Sequence, residues 1–164
     1  MPSLRWTELE EFLWGAAIIL RGLVDAGDYK QFVFPLLFFK RLSDVWDEDY
    51  AEALADSGDQ AYAAATANDR FVIPAGAHWK DVRAIAKDVG RALQTAQRNI
   101  EAANHGRLDG IFGDAPWTNK ERLPDATLKN LLEPPLSRSM AGVSSRRSPG
   151  REWRAEVNWS SIGT

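Results

Sequence analysis

The run Phe32-Val33-Phe34-Pro35-Leu36-Leu37-Phe38-Phe39 constrains this chain more than any other stretch. On a helix these side chains are apolar on every side, which predicts an element buried all round and not one lying on a surface. Asp28 stands where it can cap such a helix, which the pattern extends from Tyr29 to about Leu54. Pro35 removes one backbone donor, so the helix is expected to kink there or to restart at that residue. The run is also bounded. Lys40 closes it, and Arg21 closes the other long apolar run, Phe12 to Leu20. Both fall well short of the roughly 18 apolar residues of a membrane span.

The rest of the ordered part also follows a helical period. Leu9, Phe12, Leu13, Ala16, Ala17, Leu20 and Val24 fall three or four apart and share one face. Thr7 is the expected N-cap of this first helix and Gly27 its end. Ala51 to Asp69 is Ala-rich and weakly patterned, either a fraying helix end or a short helix on a mobile connection. Phe71-Val72-Ile73-Pro74 reads as a short extended segment. Beyond Gly76, the stripe Val82, Ile85, Val89, Leu93, Ala96, Ile100 and Ala103 predicts one long helix, ended by Asn104-His105-Gly106. A Gly-, Asp- and Pro-rich loop from Asp109 to Pro124 then leads to a short helix, Asp125 to Glu133, capped by Asp125. Strand signals are nearly absent. The expected fold is all-α, a helical bundle of four to five helices with a short extended segment.

A chain of 164 residues has no room for separate substrate and cofactor domains. The absence of cysteine excludes disulfides, thiolate metal sites and cysteine catalysis, and it fits a reducing, cytoplasmic setting. With His78 and His105 as the only histidines, histidine-rich metal sites are not expected. The start, Met1 to Trp6, lacks the basic-then-apolar order of a signal peptide.

The net charge of -3 conceals two regimes. Residues 1–133 carry fifteen Lys and Arg against twenty-one Asp and Glu. Residues 134–164 carry Arg138, Arg146, Arg147, Arg151 and Arg154 against Glu152 and Glu156, and eighteen of these thirty-one residues are Ser, Arg, Gly or Pro. Such a composition does not offset its own ordering entropy, so the division is an ordered domain, 1–133, and a disordered C-terminal tail, 134–164.

Few residues offer chemistry. Asp44, Asp47, Glu48, Asp49 and Glu52 would need burial and convergence to act as acids, bases or metal ligands; on an exposed helix they form a solvated face, with Lys40–Asp44 as an i,i+4 pair. Gly110-Ile111-Phe112-Gly113 has the glycine spacing of a phosphate-clamping loop but no flanking Lys and no strand, so it reads as loop geometry. His78 beside Trp79 has no second ligand nearby and reads as structural. No catalytic, cofactor-binding or metal-binding residue is assigned. Lys30, Lys40, Arg41, Lys120 and Arg122 are the candidates for contact with nucleic-acid phosphates, although for each the plainer reading is a stem laid over the aromatic core with its charge in water.

Phe12-Leu13-Trp14-Gly15-Ala16-Ala17, Leu20-Arg21-Gly22 and Tyr29 through Asp44 carry a family likeness, which continues through Phe71 to Pro74, His78-Trp79, Asp81 to Ile100, Asn119 to Asp125 and Leu128 to Leu132. Together they resemble the N-terminal helical domain of the modification (M) subunit of type I restriction–modification systems. The resemblance covers roughly residues 6–133. It implies a helical domain placed ahead of a Rossmann-like domain that binds S-adenosylmethionine and methylates the exocyclic amine of adenine in DNA. It also implies partners: DNA, a specificity subunit, a second modification subunit and the endonuclease subunit. In that family the N-terminal domain helps close the complex around DNA and contacts the other subunits.

The chain departs from the family after Leu132-Glu133. Glu133-Pro134-Pro135-Leu136 resembles the Asn-Pro-Pro-aromatic loop that holds a flipped base, but a carboxylate replaces the amide and Leu136 the aromatic, so the match is read as accidental. The abrupt change of composition suggests translation in another reading frame. With no cofactor fingerprint, the chain alone is expected to be an inactive, truncated methyltransferase subunit. The alternative is a stand-alone helical interaction module that binds DNA or restriction-complex partners. A weaker third reading is a helical fold with a small-molecule pocket among its Trp and Phe side chains.

Overall fold

The computed structural model describes residues 6–133. They form six helices: α1 (Trp6–Leu20), α2 (Tyr29–Ser57), α3 (Gln60–Ala67), α4 (Trp79–Arg83), α5 (Val89–Ala103) and α6 (Asp125–Leu132). No strand occurs among the described residues, so the domain is all-α as the periodicity predicts, with more helices than the four or five expected. Among them no helix is long and apolar enough to cross a membrane. The tail 134–164, and with it the Pro-Pro of the Glu133-Pro134-Pro135-Leu136 motif, lies outside the described residues.

The additional helix comes from a break in the 82–103 stripe. Asp88 takes a left-handed backbone conformation, φ 54°, and separates α4 from α5. The break is held from outside the stripe. The Asp125 carboxylate accepts the backbone N–H groups of Asp88 (3.1 Å) and Val89 (2.9 Å), satisfying donors that open the α5 helix. Asp125 therefore begins α6 while capping a different helix, 36 residues away in sequence. The buried side chains Val82, Val89, Leu93, Ala96 and Ile100 stay in one core on both sides of the break.

Helix ends differ from the predicted ones for local reasons. α1 stops at Leu20, where Gly22 at φ 82° turns the chain and both Leu23 and Val24 donate to the Leu20 carbonyl. Thr7 lies inside the first turn of α1 and not at its cap. Asp28 precedes α2 without a side-chain capping bond; its carboxylate faces Arg122 at 3.9 Å instead. α2 runs through Pro35 and does not restart there. Gly58, at φ 68°, ends it, and Asp59 caps α3 by accepting from the N–H groups of Ala61 and Tyr62. The Ala-rich stretch is thus a short helix folded back on α2, with Ala63 and Ala67 buried and the Trp46 indole donating to Asn68.

The apolar run on α2 is not buried all round. Phe32, Val33, Leu36 and Phe39 enter the core, whereas Phe34 and Phe38 are 53% and 46% exposed. The neighbouring helices cover only part of its circumference, and residues one turn apart on the uncovered side stay in contact with solvent. Inside, the aromatics interlock. Trp79 meets Phe12 and Phe39, Phe39 meets Phe112, and Phe32 meets Trp117, all edge-on or tilted with centroids 5.3 to 6.4 Å apart.

Two buried polar side chains, Glu101 on α5 and Asn104 at its C-cap, tie the irregular segments to this core. Asn104 accepts from the Val72 N–H (2.8 Å) and donates to the Val72 carbonyl (2.7 Å), clamping the 71–74 segment as a neighbouring strand would. Glu101 accepts the N–H of Phe112, which draws the 110–113 loop inward and buries the Phe112 ring.

Candidate functional site

The five cations singled out by sequence lie in three places. Lys30 opens α2 and is exposed, and Arg122 approaches the same end through its ion pair with Asp28. Lys40 and Arg41 lie ten residues further along α2, about 15 Å at 1.5 Å per residue. Lys40 pairs with Asp44, as the i,i+4 spacing predicts, and its ammonium stands 5.9 Å from the Trp79 ring centroid. Arg41 faces Glu48 at 3.5 Å. Lys120 pairs with Asp88 and stands 4.0 Å from Asp125. Its ammonium is held above the ordinary lysine range by the bond to Asp88, and the same bond holds the Asp88 carboxyl below the usual carboxylate range.

The acidic cluster on α2 is likewise distributed among partners. Besides the Lys40 and Arg41 contacts, Asp47 faces Lys80 and Asp49 faces Arg70, both at 3.7 Å. Among the described residues no group of three or more His, Asp or Glu side chains is placed to hold a metal ion. Gly110 and Gly113 both have positive φ and shape the turn that delivers Phe112 to the core. His78 is buried against Trp46, with ring centroids 4.4 Å apart.

Sequence reasoning missed the apolar side chains left open. On α1, Trp14 and Ile18 are one turn apart and each is 57% exposed. On α2, Phe34 and Phe38 repeat that spacing. The signal was available on α1, since Trp14 and Ile18 fall outside the set of residues that builds its inward face. On α2 the all-round apolar run concealed it. It named Asp125 and Asn104 only as local helix-end residues and missed their partners, 36 and 32 residues away.

The geometry defines a class: an all-α domain whose buried polar groups tie its loops in place, and whose first two helices each keep an apolar pair open to solvent. The family model described as HsdM N-terminal domain matches residues 9–134. The chain belongs to that family, the N-terminal domain of the modification subunit of type I restriction–modification systems. No curated protein matches the chain.

Proposed function

We propose that this chain supplies the domain through which a type I modification subunit contacts its partner subunits and DNA. The observation that carries this reading is the pair of open apolar ridges, Trp14 with Ile18 and Phe34 with Phe38. Large aromatics kept in solvent where the core had room for their neighbours are characteristic of surfaces that are covered in an assembly. The specificity subunit and a second modification subunit are the partners the family supplies, with the endonuclease subunit joining for restriction.

DNA contact is the lesser part of the role. The region is acidic, with fifteen cationic against twenty-one anionic side chains over 1–133. Lys40, Arg41, Lys120 and Arg122 face carboxylates, and each would exchange a carboxylate for a phosphate on binding. Lys30 is exposed at the start of α2 and is assigned the first phosphate contact. The expected DNA binding is accordingly weak, salt-sensitive and indifferent to sequence.

Methyl transfer is not assigned to these residues. S-adenosylmethionine belongs to the Rossmann-like domain that the family places after this one. A domain that joins a DNA-modifying complex works in the cytoplasm, which the cysteine-free composition suits.

The test is co-expression with the cognate specificity subunit, followed by affinity purification and size-exclusion chromatography. Wild-type chain is expected to co-elute. The double variant Phe34→Gln, Phe38→Gln is expected to lose co-elution while its own stability changes by less than about 1 kcal/mol, as for other surface substitutions. Full retention of the complex by a folded double variant refutes the assignment of this ridge.

A further inference from the structure

His78 sits where three parts of the fold meet: it precedes α4, follows the 71–77 segment and packs against α2. Its ring is buried, and Nδ1 has no hydrogen-bond partner in the protein. The ring stands at 72° to the Trp46 ring, which is itself stacked on Tyr50 (5.2 Å) and bonded to Asn68. The next residue, Trp79, donates its backbone N–H to the buried Ser43 hydroxyl on α2 and inserts its indole between Phe12 and Phe39. The seat of His78 is therefore also the seat of the aromatic hub.

A neutral imidazole fits this seat and an imidazolium does not. Protonation makes both ring nitrogens donors, and a charged donor at Nδ1 would be buried with no acceptor. The charged groups around the ring do not compensate. From α2, Asp47 already faces Lys80; from α4, Asp81 accepts the His78 backbone N–H at 3.2 Å, and Lys80 adds a positive charge. Burial first, and Lys80 second, push the His78 pKa below the ordinary histidine value despite Asp81 and Asp47.

We propose that His78 is a proton-operated latch on the α2–α4 junction: the uncharged ring holds residues 71–84 and the Trp79 anchor against α2, and proton uptake releases them. The sign follows from linkage. Because the folded chain binds this proton less readily than the opened one, the junction is fully held above the ordinary histidine pKa, about 6.5, and weakens as pH falls from there toward the lower value of the folded state. One proton is taken up per opening event, so the opening constant rises about tenfold for each pH unit in that window.

The experiment is NMR and hydrogen exchange on the full chain between pH 7.5 and 5. The chain has two histidines, and His105 is exposed beside Asp109, so His105→Gln leaves a single histidine signal that belongs to His78. The His78 signal is expected to titrate below the ordinary histidine value of about 6.5. Amides of 71–84, corrected for intrinsic exchange, are expected to gain about one decade of opening per pH unit, while α5 amides do not. The variant His78→Gln is expected to abolish that slope; should it fail to fold, the wild-type titration and exchange slopes alone decide. A His78 signal that titrates at or above the ordinary histidine value, or an opening constant for 71–84 that is flat with pH, overturns the proposal.

Discussion

Gly90→Ala and Gly15→Ala are the same chemical change within two helices, and the structure assigns them opposite signs. In a helix, alanine is worth about 1 kcal/mol more than glycine because it loses less backbone freedom on folding. At Gly15, on α1, a new Cβ meets nothing within 4 Å, so that gain is realised. At Gly90, in the first turn of α5, the Cβ would lie 1.9 Å from the Trp117 carbonyl oxygen, 2.8 Å from its carbon and 3.1 Å from Leu128 Cδ1. Real Cβ contacts essentially never fall below 3.0 Å, so the Trp117 backbone or α5 has to retreat by roughly an ångström. Neither moves freely. Trp117 and Leu128 are buried, and the Trp117 ring packs edge-on against Phe32 at 5.3 Å.

Overpacking of this kind costs about 1–3 kcal/mol even where side chains can adjust, and here the obstacle is backbone, which puts the cost at or above the upper end. After subtracting the propensity gain, Gly90→Ala is expected to destabilise by about 2 kcal/mol or more, a drop of roughly 4–8 °C in Tm. Gly15→Ala is expected to stabilise by about 0.5–1 kcal/mol, a rise of roughly 1–4 °C. Urea denaturation followed by far-ultraviolet circular dichroism, with thermal melts on the same samples, measures both. A Gly90→Ala protein as stable as the wild type would refute the close approach of α5 to the 115–118 turn, on which the packing of α6 also depends.

Asp125→Ala removes the acceptor shared by Asp88 and Val89, and should cost about 1–2 kcal/mol, with faster exchange of the first α5 amides. Asn104→Ala strands the Val72 N–H and C=O, and a loss of about 2–3 kcal/mol is expected by urea denaturation, with 71–74 losing protection first. The Asp88–Lys120 pair has a definite pH sign: since the folded state holds the Asp88 carboxyl below its ordinary value, its contribution is present above that value and disappears as pH falls through the lowered one. Lys120→Ala should therefore flatten the acid limb of the stability curve, and an unchanged limb in acid titrations counts against the pairing. Binding to unrelated duplexes of equal length should be equal and fall steeply between about 50 and 200 mM salt in anisotropy titrations; marked preference for one duplex contradicts that expectation.

Much of the fold was legible because helical burial is periodic. Leu93, Ala96 and Ile100 lie inward at the spacing the sequence shows, and the ends set by Asn104 and Gly106 need only local backbone preferences. The break at Asp88 was not legible, since its acceptor comes from Asp125 and its counter-ion from Lys120, and neither adds a mark to the 82–103 stripe. The candidate site divided in the same way. Lys40–Asp44 is an i,i+4 neighbour and was readable; Arg122–Asp28 and Asp47–Lys80 join distant stretches and were not.

The sequence alone determined that the chain is helical, which residues could build its core and which family it resembles, because these depend on the order and spacing of side chains. Tertiary structure alone decided which side of the Phe32–Phe39 run stays open, where α5 begins, and that Lys120 and Arg122 face carboxylates. Each of those depends on what stands across the gap from a residue. Burial and ion pairing are properties of two surfaces, and a helical period describes only one of them.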